Sequence, residues 1–550
     1  MNAQVRTGGH AVLETLLAWG IRRVFTCPGS TEAAFLDATV DSPEFDVVLT
    51  PHESVAVSAA DGYARATGEP AVAYLHTHVG LANALSHLYA ARLARSPLVV
   101  LTGLKPAQIQ AHRGFTSLPD TGRLAEPFVK AWWQSLTAAA IPEDLNRTIR
   151  LALTEPCGPT WLGLSQDLMN AECPAPPIDP TRYRPRARTA PDPGRLAEAA
   201  ELLSRAARPV LVAGAEVARH GAVAELVELS RRLGVPVVNE DRRSYERPGF
   251  PSSHANYAGL YDARRSFIRD SDLIVFVGCH CFTEFDVPDQ PDIPASAAVV
   301  HIHTDGAEIG AIYGVDVDLV GDEQLTLAQL LTRLGDRETT RDGGRAAAAR
   351  AEHLADAGPL PPEREDVENV GAVAAALAEV VTDQTTVVGE ATTTNGILLR
   401  RLPQHPPHQY YTSASGSLGW GLGAAIGLKL ALPEREVMVV AGDGAFQFGP
   451  QALWVAAHYQ IPVIFIVVNN ESYAAVTAAL RRHGGRAVER GEFPGTDLSG
   501  IDACSIARGY GVFAQRLHRA SQLKEAMEKA RAHSGPSLIE IMTDPTYSGP

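Results

Sequence analysis

The chain has 550 residues, with 48 basic and 63 acidic side chains and a formal net charge of −15. That negative balance argues against nucleic acid or an anionic membrane as a partner. No stretch approaches the roughly 18 uninterrupted apolar residues of a membrane span. The N-terminus lacks the apolar core of a signal peptide, so we expect a cytoplasmic protein. The six cysteines form no CxxC pair and predict no disulfide framework.

The first unit of the chain alternates helices with short apolar strands. Strands are predicted over residues 23–28, 45–50 and 71–75, and each ends in small or polar residues. Ser30, Glu53 and His76 follow these strands in turn. Because parallel strands end at one shared edge of a sheet, these side chains are expected where such a sheet places its chemistry.

Two further units repeat this alternation of strands and helices. Proline-rich segments and segments rich in Arg, Ala and Glu separate the units. In the second unit, strands are predicted at 209–213, 235–239, 273–277 and 299–303. Such alternation favours parallel sheets with helices on both faces. The sequence therefore predicts an α/β protein of three consecutive doubly wound parallel-sheet domains, at residues 1–178, 190–340 and 366–550.

Two apolar runs organise the third unit, at residues 437–444 and 462–470, with a predicted helix between them. A right-handed strand, helix, strand unit places Asp443 and Asn470 at the same edge of the sheet. A carboxylate oxygen and an amide oxygen suit Mg²⁺, which takes few protein ligands and leaves the rest to phosphates and water. Glycines on both sides of Asp443 let a phosphate approach, and the amides of the next helix start supply donors.

This pattern resembles a known family. Gly-Asp-Gly, a helix and then Asn-Asn after an apolar strand is similar to the diphosphate and Mg²⁺ motif of the thiamine-diphosphate-dependent decarboxylase and acetolactate synthase superfamily. The runs 50–54 and 60–65 resemble the first-domain signature of the same family. The resemblance implies pyrimidine-binding, central and diphosphate-binding domains, with thiamine diphosphate and Mg²⁺ as cofactors.

The resemblance also implies roles for individual residues. Glu53 takes the place of the activating glutamate, which drives the aminopyrimidine of the cofactor to its imino tautomer. The metal ligands would be Asp443, Asn470 and the main-chain carbonyl of Ser472, and Leu418 would support the bent cofactor. The implied cofactor contacts are Glu53, Thr392, Thr393, Gly416, Leu418, Gly442, Asp443, Gly444, Ala445, Asn470, Ser472 and Tyr473.

Within the family, the loop 27–30 and the region around His76 resemble the benzoylformate decarboxylases. Ser30 would contact a substrate carboxylate, and His76 would exchange a proton with the carbonyl oxygen and the enamine, because histidine titrates near neutral pH. The expected reaction is decarboxylation of a 2-keto acid to an enamine that is protonated to an aldehyde. The alternative is an acetolactate synthase-like carboligase that joins the enamine to a second carbonyl, from an aldehyde or a ketone.

The chain also departs from the benzoylformate decarboxylase pattern. A second active-site histidine of that pattern falls at Phe285. Val476 and Ala479 replace bulkier pocket residues, which leaves a roomier site and adds weight to carboligation. His112 and Arg113 either supply a replacement acid or anion contact, or lie in a solvated loop.

The resemblance carries an expectation about assembly. In this family the activating glutamate and the metal site meet across a subunit interface, so a homodimer is the smallest active form and a homotetramer is expected. A catalytically silent subunit is a third hypothesis, and the intact Glu53, Asp443 and Asn470 speak against it.

Two other sites need to be weighed in the second unit. Two of its predicted strands carry alternating cysteine and histidine positions: Cys279, Cys281, His301 and His303. These side chains either form a zinc site or are ordinary half-buried residues of the strands. The stretch 213–216 has no clear phosphate loop, so FAD is not expected in the central domain.

Overall fold

The computed structural model describes residues 6–241, 246–282, 292–335, 344–356 and 368–544. Within these residues the chain forms three sheets of six strands each. Every paired strand in them runs parallel to its neighbour. This confirms the predicted α/β fold of three doubly wound sheets. None of the helices in the described ranges has the length and apolar character that crossing a bilayer requires.

The first unit holds the first sheet. Its strands are β1 (Arg23–Cys27), β2 (Asp46–Leu49), β3 (Ala71–His76), β4 (Leu98–Leu104), β5 (Ala131–Gln134) and β6 (Thr160–Ser165). Its helices are α1 (Gly8–Ala18), α2 (Ala33–Thr39), α3 (Glu53–Thr67), α4 (Thr77–Leu93), α5 (Ala107–Ala111), α6 (Thr121–Ala125), α7 (Ile141–Leu153) and α8 (Gln166–Asn170). The strands lie in the order β2-β1-β3-β4-β6-β5. The order reverses between β1 and β3, which opens a crevice at their carboxyl ends.

The second unit repeats this arrangement. Its strands are β7 (Pro209–Ala213), β8 (Val237–Asn239), β9 (Tyr257–Leu260), β10 (Leu273–Val277), β11 (Ala298–His303) and β12 (Val317–Val320). Its helices are α9 (Pro193–Arg205), α10 (Ala215–Arg219), α11 (Val223–Leu233), α12 (Ser266–Arg269), α13 (Glu323–Leu334) and α14 (Gly344–Asp356). The order β12-β11-β10-β7-β8-β9 reverses between β7 and β10.

The third unit holds the last sheet. Its strands are β13 (Thr385–Glu390), β14 (Tyr410–Thr412), β15 (Glu436–Gly442), β16 (Val463–Asn469), β17 (Phe513–Leu517) and β18 (Ser537–Met542). Its helices are α15 (Val370–Val380), α16 (Asn395–Arg401), α17 (Trp420–Ala431), α18 (Asp443–Phe446), α19 (Gln451–His458), α20 (Ala474–His483), α21 (Arg486–Arg490), α22 (Ala503–Gly509) and α23 (Leu523–Ala532). The order β14-β13-β15-β16-β18-β17 reverses between β13 and β15.

Apolar cores cover both faces of the sheets. In β4, Val99 and Leu101 belong to one core, whereas Leu98 and Val100 belong to another. Successive strand residues point to opposite faces, so the two cores lie on opposite sides of the sheet. All seven residues of β16 are buried. Burial on both faces of the sheet explains why this strand is an almost uninterrupted apolar run.

Helices α3 and α17 join the first and third units of one chain. They approach so closely that added Cβ atoms would collide: one at Gly427 would lie 1.8 Å from the Ala59 carbonyl oxygen, and one at Gly62 would lie 2.4 Å from that of Ala424. The Trp420 indole N–H donates to Asp61 at 2.7 Å between heavy atoms. The two units therefore share one continuous core.

Candidate active site

A cavity lies in the crevice of the third sheet, between the carboxyl ends of β13 and β15. It encloses about 510 Å³, including its open mouth, which is enough for a small cofactor. Ten predicted cofactor contacts line it: Thr392, Thr393, Leu418, Gly442, Asp443, Gly444, Ala445, Asn470, Ser472 and Tyr473. Among the described residues, neither Gly416 nor Glu53 belongs to this lining.

The residues predicted to bind a metal follow two neighbouring strands. Gly442 of β15 pairs with Val468 of β16, so the residues after them emerge side by side. Asp443 is buried; its Oδ1 accepts from the Gly444 N–H at 2.9 Å, whereas its Oδ2 has no well-aligned partner among the described residues. Asn470 is also buried, and its Oδ1 accepts from Ser472 N–H at 3.1 Å. A buried carboxylate oxygen without a partner, beside an amide oxygen, fits a hard divalent cation.

The protonation of Asp443 reflects this burial. Loss of hydration raises the pKa of its carboxyl to about 6, and nearby backbone N–H groups, that of Gly444 first, only partly offset the rise. A bound cation would favour the ionised form and lower this pKa. Asp443 is thus a buried carboxyl group whose ionised form a bound cation would stabilise.

Glu390 is a further acidic residue of the cavity, and the sequence analysis did not identify it. Its Oε2 accepts from the Gly421 N–H at 2.9 Å at the start of α17, and its Oε1 is buried without a partner among the described residues. Burial raises its pKa to about 8, so the group is largely protonated at neutral pH. Its signal in the sequence was the acidic residue at the end of β13, two positions before Thr392.

Gly442 lines the cavity, and its backbone conformation does not require glycine. Its φ of −73° and ψ of 156° are open to any residue. A Cβ placed there would meet no atom closer than 3.9 Å, the Cα of Ala391. A side chain at this position would therefore extend into the cavity without a clash.

Glu53 begins α3 in the first unit, directly after β2. It is half-buried, and its Oε2 accepts from the Asn83 amide at 3.0 Å. A Cβ on Gly80 would lie 3.1 Å from Glu53, so the glycine lets α4 approach the carboxylate. Burial and, next, the charge of Glu53 raise the pKa of the Cys27 thiol to about 12, so this cysteine stays protonated.

Ser30 and His76 lie at the carboxyl ends of the neighbouring strands β1 and β3, at the crevice of the first sheet. His76 Nδ1 lies 3.0 Å from Oε2 of the buried Glu32. Ser30 Oγ accepts from Lys105 Nζ at 3.2 Å. The structure thus brings the two predicted substrate contacts to one strand edge, where Glu32 and Lys105, which the sequence analysis did not single out, accompany them.

His87 connects the region of Glu53 to the third unit. Its side chain is 1% exposed. Its Nδ1 lies 2.8 Å from the Ser54 carbonyl oxygen and its Nε2 lies 3.0 Å from that of Leu418. Burial lowers the pKa of His87, while its contacts with the two carbonyl oxygens oppose that shift. The start of α3 and the segment before α17 therefore lie on opposite sides of one imidazole ring.

The crevice of the second sheet is filled by protein side chains. Arg95 of the first unit contacts Glu216 at 3.4 Å and Glu308 at 2.8 Å, and all three belong to one partly buried ionic cluster. The backbone also closes the crevice, because a Cβ on Gly214 would lie 1.9 Å from the Gly278 carbonyl oxygen. Among the described residues, these contacts lie at the strand ends where a doubly wound sheet would hold a nucleotide.

The cysteine and histidine side chains weighed as a zinc site in this unit make hydrogen-bond contacts within the protein. His301 Nε2 lies 3.1 Å from the Cys279 carbonyl oxygen, and Cys281 Sγ lies 3.9 Å from the His301 ring nitrogens. Burial raises the pKa of both thiols well above the ordinary value. Within the described residues they form no compact metal-ligating group. The zinc hypothesis is therefore not supported.

Four further predicted positions lie outside the cavity in the described part of the chain. His112 and Arg113 are exposed directly after α5, as expected for a solvated loop. Val476 and Ala479 lie on the exposed face of α20. Phe285 lies outside the described residues.

Comparison with known proteins agrees with this geometry. The N-terminal TPP binding domain of thiamine pyrophosphate enzymes matches residues 6–124, the central domain matches 196–330 and the C-terminal TPP binding domain matches 390–541. Benzoylformate decarboxylase from Pseudomonas aeruginosa is 34% identical, over 98% of this chain and 99% of its own. A probable acetolactate synthase large subunit from Methanocaldococcus jannaschii is 28% identical, over 99% of this chain and 93% of its own.

A solved structure shares the whole architecture. The thiamine diphosphate-dependent 4-hydroxybenzoylformate decarboxylase of Rhodococcus jostii RHA1 has a TM-score of 0.86 and 30% identity, covering 98% of this chain and 99% of that one. The resemblance inferred from the Gly-Asp-Gly and Asn-Asn motifs is thereby confirmed. With matches to all three of its domains, this chain belongs to the thiamine pyrophosphate enzymes and is similar to both benzoylformate decarboxylases and acetolactate synthases.

Proposed function

We propose that this enzyme is a thiamine-diphosphate- and Mg²⁺-dependent 2-keto acid decarboxylase, similar to the benzoylformate decarboxylases, that releases CO₂ and an aldehyde. The observation that carries the proposal is the buried Oδ2 of Asp443, which has no well-aligned partner among the described residues. It lies beside Asn470 in a cavity whose lining includes Gly442 and Gly444. A divalent cation held by Asp443 would satisfy that oxygen and would supply positive charge for binding a diphosphate.

The residues divide into two groups with different tasks. Asp443, Asn470 and the Ser472 carbonyl would hold the cation, and the remaining lining of the cavity would hold the diphosphate. When bound, thiamine diphosphate supplies a carbon nucleophile that adds to the keto carbon and accepts the electron pair left by CO₂. Ser30 would bind the substrate carboxylate, and His76 would move a proton to or from the reacting carbonyl group.

Glu53 would act on the pyrimidine of a cofactor held by a second copy of the chain. In support, every residue that lines the cavity falls between Val370 and Thr543, so the first unit of the same chain contributes none of the lining. A homodimer is then the smallest active form, with a homotetramer as the expected assembly. A cytoplasmic location agrees with the six cysteines, all of which are free thiols.

The test is to incubate purified protein with thiamine diphosphate, Mg²⁺ and a panel of 2-keto acids, and to measure CO₂, aldehyde and 2-hydroxyketone separately. The decarboxylase proposal predicts aldehyde and CO₂ in equal amounts. Glu53→Gln should slow solvent exchange of the cofactor C2 proton while the cofactor still binds. Failure of every keto acid, or unchanged exchange in this variant, would contradict the proposal.

The alternative is a carboligase that joins the acyl fragment to a second aldehyde or ketone. It is favoured by the similarity of this chain to a probable acetolactate synthase large subunit, at 28% identity over 99% of its length. In the same assay this reaction would appear as 2-hydroxyketone formed at the expense of aldehyde. Adding an acceptor aldehyde should then raise the yield of 2-hydroxyketone.

A further inference from the structure

Glu32 is a buried carboxylate directly behind His76. It ends a single 3₁₀ turn, Ser30–Glu32, that follows β1, and it is 1% exposed. Its Oε2 accepts from the Gly29 N–H at 2.7 Å and lies 3.0 Å from His76 Nδ1, while its Oε1 accepts from the Thr31 hydroxyl at 2.5 Å. The carboxylate is thus surrounded by donors, as an ionised buried group requires.

These contacts determine which ring nitrogen of His76 carries the proton. The Thr31 hydroxyl has one proton, and Glu32 Oε1 accepts it. Thr31 Oγ1 also lies 2.9 Å from His76 Nδ1, so Nδ1 must be the donor in that contact as well. A neutral ring protonated at Nδ1 carries its lone pair on Nε2, which has no hydrogen-bond partner in the described part of the chain.

The surrounding backbone is built to admit this arrangement. A Cβ on Gly103 of β4 would lie 1.8 Å from Glu32 Oε1 and 2.4 Å from Thr31 Oγ1. A Cβ on Gly29 would lie 2.5 Å from the His76 ring. Glycine at both positions lets the carboxylate, the hydroxyl and the imidazole pack together in one crevice.

We propose that Glu32 is a positioning residue that holds His76 in the Nδ1-protonated form, so that Nε2 is the nitrogen that exchanges a proton with the substrate. The inference rests on the proposed function for the role of His76 in turnover. When Nε2 takes a proton, the positive charge forms beside the Glu32 carboxylate, which stabilises it. When Nε2 gives that proton to the substrate, the ring returns to the neutral Nδ1–H form. A buried carboxylate has this effect on the histidine of serine proteases.

The first experiment needs neither substrate nor substitution in the test protein. Holoenzyme labelled with ¹⁵N in its histidine rings is studied by NMR near neutral pH, and the His76 signals are identified by their loss in His76→Phe. The inference predicts a proton on Nδ1 and a lone pair on Nε2 in the neutral ring. A ring protonated on Nε2 would overturn it.

The second experiment measures turnover in Glu32→Gln, which keeps the size of the side chain and removes its charge. We expect kcat to fall about tenfold or more, with KM little changed, because the loss affects proton transfer more than substrate binding. The double variant Glu32→Gln/His76→Phe should be no slower than His76→Phe alone, since both changes remove the same function. Losses that multiply in the double variant would show that Glu32 acts independently of His76.

Two controls separate this inference from folding and from the proposed function. Asp37→Asn removes an exposed charge from the following helix α2 and should leave kcat and the histidine spectrum unchanged. If the wild type processes no 2-keto acid but His76 is protonated at Nδ1, the proposed function fails while the positioning of His76 stands. If the wild type is active and Glu32→Gln matches it in rate and spectrum, the positioning inference fails alone.

Discussion

Asp443→Asn should separate the stability of the apoprotein from its ability to bind a cation. The substitution keeps an oxygen that can accept from the Gly444 N–H, as Oδ1 does at 2.9 Å. It removes the buried charge, whose second oxygen lacks a partner. We therefore expect the variant to be more stable than the wild type without ligands and to lose stabilisation by Mg²⁺ and thiamine diphosphate.

The magnitude follows from the pKa. Burial raises the pKa of Asp443 from 3.8 to about 6, which corresponds to about 3 kcal/mol as an upper limit. Well below pH 3.8 the carboxyl is protonated in both folded and unfolded chains, so the stabilities of wild type and variant should converge towards about pH 3. As pH rises towards 6 the wild type loses stability relative to the variant, and above that pH the difference is constant.

The assay is thermal unfolding of the apoproteins from about pH 3 to pH 8. At about 2–4 °C per kcal/mol for a domain of this size, the variant should have a Tm higher by several degrees at pH 8 and a nearly equal Tm at about pH 3. Ligands at about 100 times their Kd should stabilise the wild type by about 2.7 kcal/mol and the variant much less. Equal Tm values at pH 8, or equal stabilisation by ligands, would refute the reasoning.

The remaining predictions concern assembly, the cavity and the crevice of the first sheet. Mixing Glu53→Gln subunits with Asp443→Ala subunits should restore about a quarter of the sites if each site spans two chains. The reason is that half of the dimers are mixed and one of the two sites in each mixed dimer is intact. No recovery of activity would place each site within one chain. Gly442→Val should fold normally, as judged by its Tm, yet bind thiamine diphosphate weakly in calorimetry, because its side chain fills the cavity; tight binding would contradict this. Wild-type affinity for Mg²⁺ should be about tenfold lower at pH 5 than at pH 7, since the pKa of Asp443 is about 6, and an affinity independent of pH would exclude Asp443 as a ligand. Gly103→Ala should lower kcat as Glu32→Gln does, because its Cβ displaces the carboxylate, and a wild-type kcat would argue against that packing.

The sequence predicted best where a local pattern determines the outcome. Asp443 and Asn470 follow uninterrupted apolar strands, and the right-handed crossover between parallel strands brings their positions together. The strands β5, β9, β12 and β17 were not predicted. All four are short and lie at sheet edges. In β5 and β17, Trp132 and Phe513 are each 37% exposed, so these edge strands lack the apolar run of a central strand.

The sequence by itself determined the number of sheets, their parallel class and the acidic and amide residues at their carboxyl ends, because strand burial and crossover handedness act over short segments. Only the tertiary structure decided which of those groups have partners. His87 meets Leu418 across 331 positions of sequence, and Glu32 reaches His76 through packing that no local pattern encodes. Burial and distant contacts set hydrogen-bond partners and pKa values, so the chemistry of individual side chains emerges only when the three units pack together.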